Sequence, residues 1–183
     1  DRAFSTGLPR THQTAEGVLA GRDIALEEIP ELREIRSGRP IGKTPAEVRA
    51  EFLGGFADSH QPGARFIGGD IFQEVYDRAV GALEALLLEP GWRNLLIVAH
   101  DGINRLMLGW ASQGGLSVAG AFEQDPGCLN VIDADVEDGE IRRRVIKLVN
   151  LTPMNHSKLG NNLTSPEQIF EYRRQVMARL NDG

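Results

Sequence analysis

The run Leu95-Leu96-Ile97-Val98-Ala99-His100-Asp101-Gly102-Ile103-Asn104-Arg105 joins an unbroken apolar stretch to helix-compatible sequence through a single histidine. An apolar run without polar alternation is what a strand covered on both faces requires. It therefore predicts a buried strand that delivers His100 to a helix N-terminus. At the carboxyl end of a strand in an α/β sheet, the crevice and the unpaired N–H groups of the next helix attract anions. A histidine held there can meet a phosphate.

The same kind of junction occurs near the start of the chain. Arg2-Ala3-Phe4-Ser5 reads as the tail of a strand, and Leu8-Pro9-Arg10-Thr11-His12-Gln13-Thr14-Ala15-Glu16 opens a helix. Pro9 suits its first turn, where the missing N–H costs nothing. If the two strands are parallel, their carboxyl ends share one side of the sheet. Arg10 and His100 then face one pocket although they are far apart in the chain.

Outward from these junctions the pattern alternates β and α without repeats. Ala25 to Ile29 reads as a short strand, and Pro45 to Phe52 as a short helix after a Thr44 cap. Gly54-Gly55 to Gly68-Gly69 is a glycine-punctuated loop region. Phe72, Val75, Tyr76, Ala79, Leu83, Leu86 and Leu87 fall at helical spacing, with Pro90 as the stop. The strand at Leu95 and its helix run to about Trp110. Leu129 to Ala134 and Arg142 to Val149, joined across Glu137-Asp138-Gly139-Glu140, predict an antiparallel hairpin. A last helix follows the Ser165 cap, from Pro166 to about Leu180. The expected fold is α/β, a three-layer α/β/α sandwich with a mostly parallel sheet. It forms a single domain over 1–183 with a helical C-terminal extension from about 160.

Composition narrows the function classes. The 183 residues are 41% hydrophobic and 25% charged, enough for one domain with a sizeable core. No apolar run is long enough to span a membrane as a helix. The lone Cys128 excludes an internal disulfide and predicts a reducing, cytoplasmic setting. No charged-then-apolar signal pattern opens the sequence. A net charge of −6 argues against nucleic acid or an anionic membrane as partner. A small anionic substrate needs only local positive charge, and a homodimer is compatible with all of this.

Several of these segments together resemble the histidine phosphatase superfamily, which includes the phosphoglycerate mutases. Ser5-Thr6-Gly7-Leu8-Pro9-Arg10-Thr11-His12-Gln13-Thr14-Ala15 is similar to the family's Ser-Ser-x-Leu-x-Arg-x-x-Gln-Thr-Ala segment. Ala99 to Arg105 resembles its second-histidine motif, His-Gly-Gly-x-x-Arg. Leu32-Arg33-Glu34-Ile35 resembles its Leu-x-Glu element, and Gly69-Asp70-Ile71-Phe72 the segment expected to supply an acid. The resemblance runs from about Arg2 to about His156.

What the resemblance implies is phosphoryl transfer without metal or other cofactor, on a small phosphorylated substrate. A histidine attacks phosphorus to give a phosphohistidine, cationic groups hold the non-bridging oxygens, and a carboxylic acid protonates the leaving oxygen. Carried over residue by residue, Arg10 and His100 are oxygen ligands and Gly102 permits close approach at the helix start. Asp70, heading the long helix, is the candidate acid or simply a helix cap, and Glu34 is the reserve acid or, the more ordinary reading, a carboxylate that supports the site or lies on the surface. Asp101 stands where the family commonly has glycine. It is either an N-cap or, facing the pocket, a charge that raises the His100 pKa.

One family element has no counterpart: none of His12, His60, His100 and His156 lies in an Arg-His-Gly triplet. The expectation is that the first strand and its nucleophile are missing from this sequence, because a domain without its central strand buries too little. It follows that the Leu95 strand should have an open groove beside it. The alternatives are a mutase, or a catalytically inactive module that binds phosphate. Two further motifs carry little weight. Gly38 to Thr44 resembles a P-loop one residue short. Asn150-Leu151-Thr152, Asn155-His156-Ser157 and Asn162-Leu163-Thr164 are formal glycosylation acceptors, and Asn150 to His156 also resembles the segment ending the family's last strand.

Overall fold

A computed structural model describes residues 1–153 and 163–181. The acceptor at Asn155 and the histidine His156 lie outside the described residues. Three short strands, β1 (Arg2–Ser5), β2 (Leu26–Glu28) and β3 (Leu95–Val98), form a parallel sheet in the order β2-β1-β3. Ser5 lies opposite Val98, so β1 and β3 end level with each other. The condition that lets Arg10 and His100 converge is thereby met.

Helix α1 (Pro9–Leu19) follows β1 through Gly7 and packs on β1 and β3. Gly7 has φ +75°, and a Cβ there would lie 2.8 Å from the Glu28 carboxylate, so the turn requires glycine. Helix α2 (Pro45–Leu53) starts with a full capping box, Thr44 and Glu47 satisfying each other's backbone N–H groups. Helix α3 (Phe72–Leu88) buries Phe72, Val75, Ala79, Val80, Leu83, Leu86 and Leu87, close to the spacing read from the sequence. Helix α4 (Asp101–Ala111) follows β3 with His100 as its N-cap and packs on α3. Together with Phe4, Leu32 and Ile35 these two helices make the core.

The hairpin is longer than its apolar residues suggest, with β4 at Leu129–Glu137 and β5 at Glu140–Leu151. Asp138 and Gly139 both have positive φ, 53° and 73°, which is the type I′ geometry that matches strand twist. Among the described residues the hairpin forms its own two-stranded sheet and packs on α3 and α4. The last helix, α5, spans Ser165–Asn181.

Two expectations need correction. The Leu95 strand is half-buried at all four positions, not buried. Among the described residues it is the edge of its sheet, paired only with β1, so its other side carries no strand. Asp70 does not open α3: the N-cap is Ile71 and makes no side-chain capping bond. Asp70 lies in the bend ahead of the helix, where its backbone N–H donates to the Arg36 carbonyl at 2.9 Å.

Candidate functional site

The ends of β1 and β3 and the starts of α1 and α4 surround one point. Pro9 sets the first turn of α1, which brings the exposed Arg10 to the sheet edge, while His100 is only 6% exposed. Arg10 Nη2 lies 3.0 Å from His100 Nδ1. Thr6 Oγ1 lies 2.9 Å from His100 Nε2 and 3.0 Å from Thr11 Oγ1. The sequence reading missed Thr6 and Thr11, since nothing in a threonine five residues from another announces a pair.

The direction of each bond follows from what the groups can donate. A guanidinium has no acceptor, so His100 Nδ1 must accept from Arg10. The neutral ring then carries its proton on Nε2 and donates it to Thr6. Thr11 Oγ1 donates to the Leu8 carbonyl at 2.8 Å, which leaves it free to accept from Thr6. Burial, and then the charge of Arg10, push the His100 pKa down to about 4, so the ring is neutral at physiological pH.

Asp101 does not raise that value. Its carboxylate turns along α4 to Arg105 at 2.5 Å, an i,i+4 ion pair. Arg105 is a further residue the sequence did not single out. It is 4% exposed, lies 4.0 Å from Glu123 and stacks over Phe56 at 5.2 Å. Burial raises the Asp101 pKa against the opposing charge of Arg105. Asp101, Arg105, Phe56, Phe66, Glu123 and Thr164 line a cavity of about 350 Å³ that begins one residue from His100.

The two candidate acids differ sharply. Glu34 accepts from the N–H of Ile35 at 3.0 Å and of Gly102 at 3.4 Å, at the first turn of α4. Burial pushes its carboxyl up to about 7, with Asp101 adding to the rise and the two N–H groups and Arg10 opposing it. Gly102 is needed for this approach: a Cβ would stand 2.7 Å from Glu34 Oε1. The close approach that Gly102 permits is thus made by Glu34. Asp70 accepts from the Arg36 N–H at 3.0 Å and from its guanidinium at 3.3 Å. Burial raises its pKa, but these contacts outweigh burial and leave the group below the ordinary aspartate value. Asp70 is therefore ionised at neutral pH, and its bonds tie it to Arg36.

Arg10, His100, Glu34 and Gly102 thus come together, while Asp101 turns to Arg105 and Asp70 to Arg36. A fixed cation, an imidazole and helix N–H groups can hold a tetrahedral oxyanion, and a protonated buried carboxyl can supply a proton. Among the described residues no group of three or more histidine, cysteine or acidic side chains could hold a metal ion.

Residues 1–147 match the family model of the histidine phosphatase superfamily, branch 1. The chain is 27% identical over 140 residues to an adenosylcobalamin/alpha-ribazole phosphatase of Salmonella typhimurium, covering 73% of this chain and 67% of that protein. Its fold is similar to a mycobacterial glucosyl-3-phosphoglycerate phosphatase, with a TM-score of 0.68 at 20% identity over 82% of this chain and 77% of that one. It is also similar to the alpha-ribazole phosphatase of Shigella flexneri, with a TM-score of 0.61 at 23% identity over 82% and 72%. With the family model spanning both strand-to-helix junctions, the chain belongs to the histidine phosphatase superfamily.

Proposed function

We propose that this chain carries the phosphate-binding and proton-donating half of a phosphatase that hydrolyses a small phosphomonoester through a phosphohistidine. The observation that carries this reading is the 3.0 Å meeting of Arg10 and His100 at the level ends of two parallel strands. Charge concentrates on the non-bridging oxygens in phosphoryl transfer, so donors fixed in advance supply much of the acceleration. Arg10 and His100 hold those oxygens. Glu34, with its carboxyl at about 7, protonates the leaving oxygen. That role passes to Glu34 from Asp70, whose depressed pKa leaves no proton to give at neutral pH.

The named relatives remove phosphate from small molecules, and that class is what we carry over. The cavity beside Asp101 receives the rest of the substrate. Its lining sets two carboxylates, Asp101 and Glu123, against the single guanidinium of Arg105 that pairs with them, which leaves no free cation among the described residues there for a strongly anionic remainder. A reducing, cytoplasmic setting fits the lone Cys128. A second reading is a module that binds phosphate without turnover, since no histidine of the chain sits in an Arg-His-Gly triplet.

Titration with inorganic phosphate tests the pocket: the chain should bind it, and Arg10→Gln and His100→Asn should each abolish measurable binding. Unchanged affinity in both variants overturns the site. Labelled phosphomonoester offered to the 183-residue chain alone should give no phosphohistidine. In a full reading frame that supplies the triplet, Glu34→Gln should slow phosphoenzyme formation by roughly 10²–10⁴-fold for an alkyl leaving group and far less for a nitrophenolate. Asp70→Asn should show no such dependence on the leaving group. Phosphate binding without turnover in that frame would favour the second reading.

A further inference from the structure

We propose that Thr6, backed by Thr11, is a positioning residue for His100: their hydroxyls hold the ring with its proton on Nε2 and its Nδ1 turned to Arg10. The inference rests on the site being the phosphate pocket only where it concerns what reaches Nδ1.

The relay runs in one direction from end to end. His100 Nε2–H donates to Thr6 at 2.9 Å, Thr6 to Thr11 at 3.0 Å, and Thr11 to the Leu8 carbonyl at 2.8 Å. Each hydroxyl accepts once and donates once. Thr6 is 0% exposed and Thr11 2%, so water cannot replace a lost partner, and a reversed proton would leave a buried donor or acceptor unmatched. The end of the relay is fixed because the Leu8 carbonyl belongs to the N-cap of α1. Arg10 leaves from the first turn of that helix, so one element positions both partners of His100.

A hydroxyl pair does here what a carboxylate would not. A carboxylate against Nε2 would favour the imidazolium permanently. Thr6 is neutral and accepts from Nε2–H equally well whether the ring is neutral or charged. Gain and loss of a proton are thus confined to Nδ1, the atom beside Arg10. The other ionisable groups around the ring are turned elsewhere, Glu34 to Ile35 and Gly102, and Asp101 to Arg105. A phosphate oxygen arriving between Arg10 and the ring can then recruit a proton to Nδ1 and leave the Nε2 bond intact.

The test is nitrogen NMR of the full chain labelled in its histidines. In the wild type His100 should show one tautomer, Nε2 protonated and Nδ1 bare. In an Arg10→Met background, where no guanidinium holds Nδ1 as the acceptor, the relay alone should keep the single pattern; Thr6→Val added to it should give averaged shifts from mixed tautomers, and Thr6→Ser should restore the single pattern. Thr11→Val in the same background leaves Thr6 in place and should give smaller mixing, which carries the test if Thr6→Val does not fold. A single Nε2–H pattern in both valine variants, or a Ser variant that behaves like Val, overturns the relay. Added inorganic phosphate should move Nδ1 to a protonated shift and leave Nε2 unmoved. Thr6→Val should bind it about tenfold more weakly, the loss expected for one hydrogen bond. Phosphate that leaves Nδ1 untouched in a wild type with a single tautomer would overturn the pocket reading and leave the relay standing.

Discussion

At the residue scale, Glu34 and Gly102 show how a site residue is chosen by its surroundings. A glutamate after Leu32-Arg33 is an ordinary carboxylate in sequence, and Asp70 looked the better acid because it sits just ahead of a long apolar helix. Folding reverses their chemistry. Glu34 is enclosed under the first turn of α4 and held to about 7, while Asp70 meets the N–H and guanidinium of Arg36. Gly102→Ala would place a Cβ 2.7 Å from Glu34 Oε1 and 2.8 Å from the Ile35 side chain. The expected cost is about 1–3 kcal/mol of stability, the usual range for overpacking. Displaced toward solvent, Glu34 should titrate nearer 4.5, which carboxyl-carbon NMR reads directly. A Glu34 pKa still near 7 in that variant would show that the glycine does not hold the carboxyl in place.

At the scale of elements, Arg105 links three pieces of the chain. On α4 it pairs with Asp101, and it reaches Glu123, whose carboxylate accepts from the Ser165 N–H at 2.5 Å at the start of α5. Ser165 also donates its hydroxyl to the Gln124 carbonyl at 2.7 Å. Removing a buried cation leaves its carboxylates without their partner, a change that costs about 3–5 kcal/mol for fully buried pairs. Asp101 and Glu123 remain about one-third exposed, so Arg105→Met should cost less, roughly 2 kcal/mol in urea denaturation. Hydrogen exchange at Ser165 should quicken as well. Exchange unchanged there would show that α5 is held without this link. The final helix was legible to within a residue at each end, although Ser165 is its first residue and not its cap, its hydroxyl donating to Gln124; the attachment was not legible, because a buried arginine and an exposed one look alike in sequence.

At the scale of the whole molecule, Glu34 and His100 respond to pH in opposite senses. Glu34 titrates at about 7 when folded against 4.5 ordinarily, so its contribution to stability is complete below 4.5 and is lost as pH rises to about 7. His100 titrates at about 4 when folded against 6.5, so its contribution is complete above 6.5 and is lost as pH falls to about 4. Folding near pH 5.5, about midway, adds a proton at Glu34 and removes one at His100, and the two slopes offset. Glu34→Gln removes only the first. The stability of the wild type minus that of the variant should therefore fall as pH rises from 4.5 to 7. Denaturant titrations in parallel buffers read this difference, and a flat one would mean that Glu34 is not raised.

The sequence alone determined the elements and their order. An apolar run can satisfy its backbone only as a strand or helix, the length and β-branching at Leu95 choose the strand, and Asp138-Gly139 dictates a turn that forces a hairpin. It also pointed to Arg10 and His100 as residues of two matching strand-to-helix junctions, but their meeting needed the parallel pairing of β1 and β3, which the fold supplies. Burial and partner choice were decided by the tertiary structure. The half-burial of the Leu95 strand depends on what lies beside it. The charge on Glu34, the turn of Asp101 toward Arg105 and the Thr6–Thr11 relay depend on atoms distant in the chain. Periodicity reports the local backbone, whereas desolvation and hydrogen-bond direction are set by neighbours that only the folded chain brings within a few ångströms.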